Sequence, residues 1–170
     1  MAKNLFINGF LSFLCMLLLF SCATKGNKSK EYYFHGEQEW GKMANDFRYP
    51  IELEKRIEEF LGTPYILGGN DEDGIDCSGF VKQVYAIYGI DLPRSSTLQS
   101  KLGIEVPKHA LLPGDLVFFG GTENDSVSHV GIYMGKNKFA NATSSQGVKY
   151  SYLNEPFFFS RYLFAKRLKF

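Results

Sequence analysis

The sequence predicts an α+β fold in which a helix bearing a cysteine in its first turn accompanies a short antiparallel strand pair. Three observations predict it. Phe80, Val84 and Tyr88 recur at i+4 with Val81 and Tyr85 alongside, and Gly89 follows as a stop. From Ser128 to Gly135, Val130, Ile132 and Met134 alternate with His129, Gly131 and Tyr133, the period of a half-buried strand. A second short strand, Lys138 to Ala142, follows the turn residues Gly135, Lys136 and Asn137.

The helix is entered from a loop of turn formers, Gly68-Gly69-Asn70-Asp71-Glu72-Asp73-Gly74-Ile75-Asp76. Asp76 suits the N-cap, which places Cys77 in the first turn. There the free main-chain N–H groups and the positive end of the helix dipole favour a thiolate. The charge of Asp76 opposes that effect, so a histidine partner is required to activate the thiol. Cysteine usage points to the same residue. Of three cysteines, Cys15 lies in an apolar leader and Cys22 directly follows it. Cys77 is left without a disulfide partner, as a working thiol would be.

Of the three histidines, His35 and His109 sit in loop-like surroundings and read as solvated bystanders. His129 opens the period-two segment. With Val130, Ile132 and Met134 in the core, His129 faces the other way, toward a cleft, and Gly131 leaves room for a close neighbour. Parity decides whether Asn141 joins it. A two-residue turn with simple register puts His129 and Asn141 on opposite faces. An odd loop, such as three residues with a bulge at Asn137, puts them on the same face, and an odd loop is predicted. Asn141 then holds the imidazole nitrogen that does not face Cys77.

The chain has 170 residues, enough for one ordinary domain. Lys plus Arg number 19 against 18 Asp plus Glu, so nothing favours a nucleic-acid surface. Lys3 precedes an apolar run from Leu5 to Phe20 broken only by Asn8, Gly9 and Ser12. That run is short of the roughly 20 residues a membrane span needs and suits a secretory signal over residues 1–21. Leu19-Phe20-Ser21-Cys22 resembles the lipobox of bacterial lipoproteins, which implies a lipid on Cys22. Residues 22–48 read as a polar tether and 49–170 as the folded domain. Ala23 is not the aspartate that retains some lipoproteins at the inner membrane. By analogy this leans toward the outer membrane, facing the periplasm.

Five ordered motifs then carry a resemblance. They are Gly62-Thr63-Pro64-Tyr65-Ile66-Leu67-Gly68-Gly69, Asp76-Cys77-Ser78-Gly79-Phe80-Val81, Leu92-Pro93-Arg94, Pro113-Gly114-Asp115-Leu116-Val117-Phe118-Phe119 and His129-Val130-Gly131-Ile132-Tyr133. From about Leu61 onward the chain resembles the NlpC-type cell-wall endopeptidases. That resemblance implies a papain-like α+β fold, with the nucleophile helix packed on an antiparallel sheet that carries the histidine. It also implies cleavage of peptidoglycan stem peptides, most often between D-glutamate and a diamino acid. By position, Cys77 matches the nucleophile and His129 the base. Asn141 matches the third polar group, where many members carry histidine and papain itself asparagine. Tyr65 matches a tyrosine that shares the oxyanion with the Cys77 N–H. Asp76, Ser78 and Ser96 match substrate-pocket positions, Asp76 as a ligand for the amine of an N-terminal L-alanine.

No cofactor is expected and a monomer is. Zinc at Cys77 and His129 has no CxxC or HxxxH pairing to support it. Asp71-Glu72-Asp73-Gly74 fails as a calcium loop, because aligning Gly74 to the turn puts Gly69 and Phe80 at ligand positions. Two rival functions stay open. One is a related papain-like amidase or acyltransferase on another amide, and the other is a lipid-tethered module that binds wall peptides without cutting them.

Overall fold

In the computed structural model, residues 49–121 and 126–168 are described. The segments expected as signal and tether, with Cys22 and His35, lie outside the described residues. Among the described residues, no helix is long and apolar enough to cross a membrane.

Helix α1 (Tyr49–Glu58) is the first described element, with Glu52 in its first turn and Lys55 and Arg56 in its last, matching the helix dipole. Leu53 and Ile57, one turn apart, are fully buried. The sequence reading assigned no element here, because two apolar positions make too narrow a stripe to announce a helix. Next come the short antiparallel strands β1 (Asn70–Asp71) and β2 (Gly74–Ile75). The turn residues Asp71 to Gly74 thus close a hairpin, and β2 leads straight into helix α2 (Cys77–Ala86). The α2 stripe buries Phe80, Val81, Val84 and Tyr85 completely. Gly89, at φ +72°, lies in the turn that ends it.

A six-stranded antiparallel sheet follows. It contains β3 (Ile104–Val106), β4 (Leu116–Gly120), β5 (Val127–Gly135), β6 (Lys138–Thr143), β7 (Gly147–Tyr152) and β8 (Tyr162–Arg167), in the spatial order β3-β8-β4-β5-β6-β7. Helix α3 (Ser96–Gln99) precedes β3 and helix α4 (Pro156–Phe159) precedes β8. Alternation along the strands divides the sheet between two cores. Leu116, Phe118, Val130, Ile132, Ala140, Ala142 and Val148 pack with α1 and α2. Val117, Phe119, Tyr133, Phe139 and Ala165 form a second cluster with Leu153 and with Phe158 of α4. The sequence reading expected β5 to be half-buried. Instead Val130 to Tyr133 are buried on both faces, because α4 brings an aromatic cover to the second face. Asp115, 1 % exposed, fastens the far end of the sheet by a bidentate pair with Arg167, at 2.7 and 2.8 Å.

The β5–β6 hairpin corrects one expectation while keeping its consequence. Lys136 and Asn137 have φ of 52° and 63°, so the turn is a two-residue type I′ turn and not a three-residue loop. The bulge lies in β5. Tyr133 pairs with Phe139 and Gly135 with Lys138, which leaves Met134 as the extra residue. That one-residue slip reverses the parity a plain two-residue turn would impose. His129 and Asn141 therefore share a face.

Gly131 fills the role expected of it. A Cβ there would lie 2.6 Å from Cδ2 of Phe139 and 2.8 Å from the carbonyl oxygen of Ala140. The backbone contact cannot relax without moving β6. Gly131→Ala is expected to lose about 1–3 kcal/mol in urea unfolding, the usual range for overpacking. An unchanged midpoint would show that β6 yields freely at this point.

Candidate active site

The site begins with the cap on α2. Asp76 adopts an extended backbone, and its Oδ1 accepts the Gly79 N–H at 2.8 Å while Oδ2 accepts the Gly68 N–H at 2.9 Å. Arg94 closes on both oxygens, Nη1 at 2.7 Å and Nη2 at 3.0 Å. Ser78 Oγ lies 3.1 Å from Asp76 Oδ1 and 2.8 Å from the Arg94 carbonyl. Arg94 also donates to the carbonyl of Gly69. Burial pushes the Asp76 carboxyl up, but hydrogen bonds from Arg94, Gly79 and Gly68 outweigh it and hold the group below its usual range. Both oxygens are fully engaged, so a substrate ammonium reaches this carboxylate only by displacing Arg94.

Arg94 is the residue that sequence reasoning left without a role, although it was visible in Leu92-Pro93-Arg94. Gln99 was missed altogether, with no local signal to reveal it. Its Nε2 donates to the carbonyls of Ser78 at 2.9 Å and Pro93 at 2.8 Å, which ties α3 to the start of α2. Ser96 is the first residue of α3 and is buried.

With α2 so held, Cys77 occupies its first position and is 6 % exposed. Burial pushes the thiol up to about 11. The main-chain N–H groups of Val130, Ser78 and Cys77 pull the other way, and the Asp76 charge adds to the rise. Cys77 also packs in the same core cluster as Val130 of β5, the residue after His129.

His129 is half-buried between Phe119 and Phe158, with ring centroids 5.8 and 6.2 Å away. Its Nε2 lies 3.1 Å from Asn141 Oδ1. The orientation of Asn141 is fixed by its other bonds. Nδ2 donates to Ser151 Oγ at 3.0 Å and to the Lys149 carbonyl at 3.4 Å, and a carbonyl can only accept. Oδ1 must then accept from His129, which places the imidazole proton on Nε2 and leaves the Nδ1 lone pair free. Burial pushes the His129 pKa below its ordinary value of 6.5, and the Asn141 bond offsets part of that shift.

Tyr65 reaches the site from a segment that bridges in parallel to Ile75 just before Cys77. Burial raises its pKa, Cys77 and Asp76 add to the rise, and Arg94 opposes it. The phenol therefore stays protonated as a donor at neutral pH. Tyr65 and His129 both line a cavity of about 490 Å³. His109 sits exposed in a short turn elsewhere. Among the described residues, no cluster of His, Cys, Asp or Glu could hold a metal ion.

The model of the NlpC/P60 family matches residues 62–167. The chain belongs to the NlpC/P60 family. It is 42% identical over 133 residues to the murein DD-endopeptidase MepS/murein LD-carboxypeptidase of Escherichia coli strain K12, covering 78% of this chain and 70% of that one. It is 40% identical over 145 residues to a gamma-D-glutamyl-L-lysine dipeptidyl-peptidase of Bacillus cereus, covering 83% of this chain and 44% of that one. A crystal structure of an NlpC/P60 family protein from Bacillus cereus aligns with a TM-score of 0.67 at 36% identity, over 71% of this chain and 40% of that one. The papain-like α+β fold expected from the resemblance is thus the observed one.

Within this NlpC/P60 site, burial raises the Cys77 thiol and lowers the His129 imidazole, and both shifts favour a neutral pair at rest. His129 must be neutral to accept a proton, so kcat/KM should be full above its pKa and fall only as pH drops below 6.5. With the thiol held near 11, no alkaline loss is expected up to about pH 9. A fall centred near pH ~8 would instead report an imidazolium–thiolate ion pair.

Proposed function

We propose that this protein hydrolyses peptidoglycan stem peptides, cutting the amide between D-glutamate and the diamino acid through a thioester on Cys77. One observation carries the reading. Asn141 accepts from His129 Nε2, which leaves Nδ1 free as a base, and His129 immediately precedes Val130, which packs in the same core as Cys77. His129 takes the thiol proton as sulfur attacks the scissile carbonyl. The oxyanion meets the Cys77 N–H and the Tyr65 hydroxyl. His129 then gives its proton to the leaving amine, and afterwards draws one from the water that hydrolyses the thioester. Asp76, Ser78 and Ser96 flank the acyl segment. An ammonium of N-terminal L-alanine meets Asp76 in exchange for Arg94. No cofactor takes part, and the enzyme acts as a monomer.

The names of the two relatives support wall peptides as substrate but differ in the bond. The Bacillus relative is named for a D-glutamyl–lysine amide, and the E. coli relative for D,D and L,D bonds. Cleavage beside D-alanine is therefore the second reading. Digestion of purified muropeptides, followed by mass spectrometry, separates the two. Wild type should release fragments ending in D-glutamate, Cys77→Ala should release none, and Tyr65→Phe should be slower by about 10²–10³ with little change in KM. Intact stems with wild type across several peptide lengths would sink the hydrolase reading. Products cut only beside D-alanine would favour the second.

We further propose that Cys22 carries the lipid that anchors the protein in the cell envelope, at the outer membrane and facing the periplasm. The support is the apolar leader, the lipobox-like Leu19-Phe20-Ser21-Cys22 and the polar stretch after it. Labelled palmitate should enter wild type and not Cys22→Ser, and fractionation should move the variant out of the membrane pellet. Equal labelling of both would refute the anchor.

A further inference from the structure

The cavity beside His129 extends away from Cys77. Apart from Tyr65, it is lined by the end of β4, the start of β5, the β6–β7 turn and the α4 region, and Cys77 itself is not among its walls. It exists because the ladder breaks here. Phe119 pairs with His129 but Gly120 with Val127, so β5 bulges at Ser128 and opens that end of the sheet. On the other side of β4, the register against β8 also shifts, between Phe118 and Phe119.

Chemistry decides which half of a substrate belongs there. The proton that leaves His129 goes to the departing amine, so the departing segment must lie on the His129 side of the scissile bond. The acyl segment is left with the Asp76, Ser78 and Ser96 side, around α2 and α3. This assignment rests on the hydrolase reading.

The cavity also has a charge preference. Lys149 and Arg161 line it, and neither is ion-paired among the described residues. Lys149 Nζ is steered by Gln146 Oε1 at 2.6 Å, and Arg161 lies over Phe157, 4.0 Å from its centroid, with Nη1 on the Phe157 carbonyl. Both cations are thereby held by neutral groups that leave their charge uncompensated. Glu155 is the one carboxylate in the described wall, and its Oε1 already accepts the Tyr152 N–H at 2.7 Å. Ser144 and Ser145 add hydroxyl donors.

We infer that this cavity is the subsite for the leaving segment and that Lys149 and Arg161 grip a carboxylate on it. Two sources offer such a group. One is the C-terminal carboxylate of the stem, and the other is the side-chain carboxylate of a diaminodicarboxylic acid, which lysine lacks.

The test uses tetrapeptides with L-lysine or meso-diaminopimelate at the third position, each as free acid and as C-terminal amide. Wild type should prefer the carboxylate-bearing forms by about tenfold or more in kcat/KM, mostly through KM, as expected for a charge-assisted contact. Lys149→Met combined with Arg161→Gln should bring that ratio close to one, and Lys149→Arg should retain it. Loss of the preference on amidation assigns the terminal carboxylate, and a difference between diaminopimelate and lysine assigns the side chain. In parallel, the diaminopimelyl-D-alanine leaving dipeptide is titrated into Cys77→Ala protein as acid and as amide. Tighter binding of the acid, lost with the two cation substitutions, supports the subsite whether or not the D-glutamyl bond is the one cut. Equal turnover of all four tetrapeptides, with dipeptide binding unchanged by the two cation substitutions, overturns it while leaving the hydrolase reading intact. Failure of wild type to cut any tetrapeptide overturns the assigned bond instead, and the binding measurement still decides the subsite.

Discussion

The structure around Cys77 depends on one carboxylate. Asp76 caps α2 through the Gly79 N–H, draws in the glycine loop through the Gly68 N–H, and is clamped by Arg94 from the segment that leads to α3. Removing any one of these partners would leave a buried anion under-satisfied, which costs more than the lost bond itself. The consequence is positional. Where α2 begins, where Cys77 sits and where its N–H points are set together. That is also why a negative charge is tolerated beside a nucleophilic sulfur. Arg94 offsets the field of Asp76, and the hydrogen bonds hold the carboxylate in place. Lysine would be a poor substitute for Arg94, since only the planar guanidinium can meet both oxygens at once while also reaching the Gly69 carbonyl.

The second constraint is parity. A sheet offers two faces, and a catalytic base can be oriented only by a group that shares its face. Here the type I′ turn is the tight solution its left-handed residues favour, and alone it would separate His129 from Asn141. Met134 cancels that effect at little cost, near the end of the strand where the ladder is about to stop. The bulge at Ser128 does a different job at the other end of β5. It ends the regular pairing just past His129, so the ring stands at the mouth of a cavity instead of in a continuous sheet.

What could be read from the sequence follows from how local each determinant is. The N-cap at Asp76, the first-turn position of Cys77 and the αL residue at Asn137 are set by a few neighbours, and the structure shows all three. Parity was also readable, but only as a requirement. The sequence demanded an odd slip somewhere in the hairpin and could not say that Met134, not Asn137, supplies it. Burial of the second face of β5 was out of reach, since Phe158 arrives from α4, far along the chain. Arg94 and Gln99 stayed hidden for the same reason. Their partners, at Asp76 and Ser78, are close in space and distant in sequence.

These constraints also explain why the first-turn thiol is not a standing thiolate. The helix dipole and the local N–H groups favour ionisation, as the sequence suggested, but 6 % exposure reverses the balance. On the proposed mechanism, turnover then begins with a proton transfer to His129. In exchange, the thiol at rest is poorly nucleophilic and slow to oxidise, since both reactions run through the thiolate. Burial lowers the His129 pKa for the same physical reason it raises that of Cys77, so it favours the uncharged form of both partners. The proton transfer then becomes favourable mainly where a bound carbonyl takes up the developing charge beside Tyr65. Activation is tied to substrate, and the geometry that permits it is the geometry Asp76 fixes.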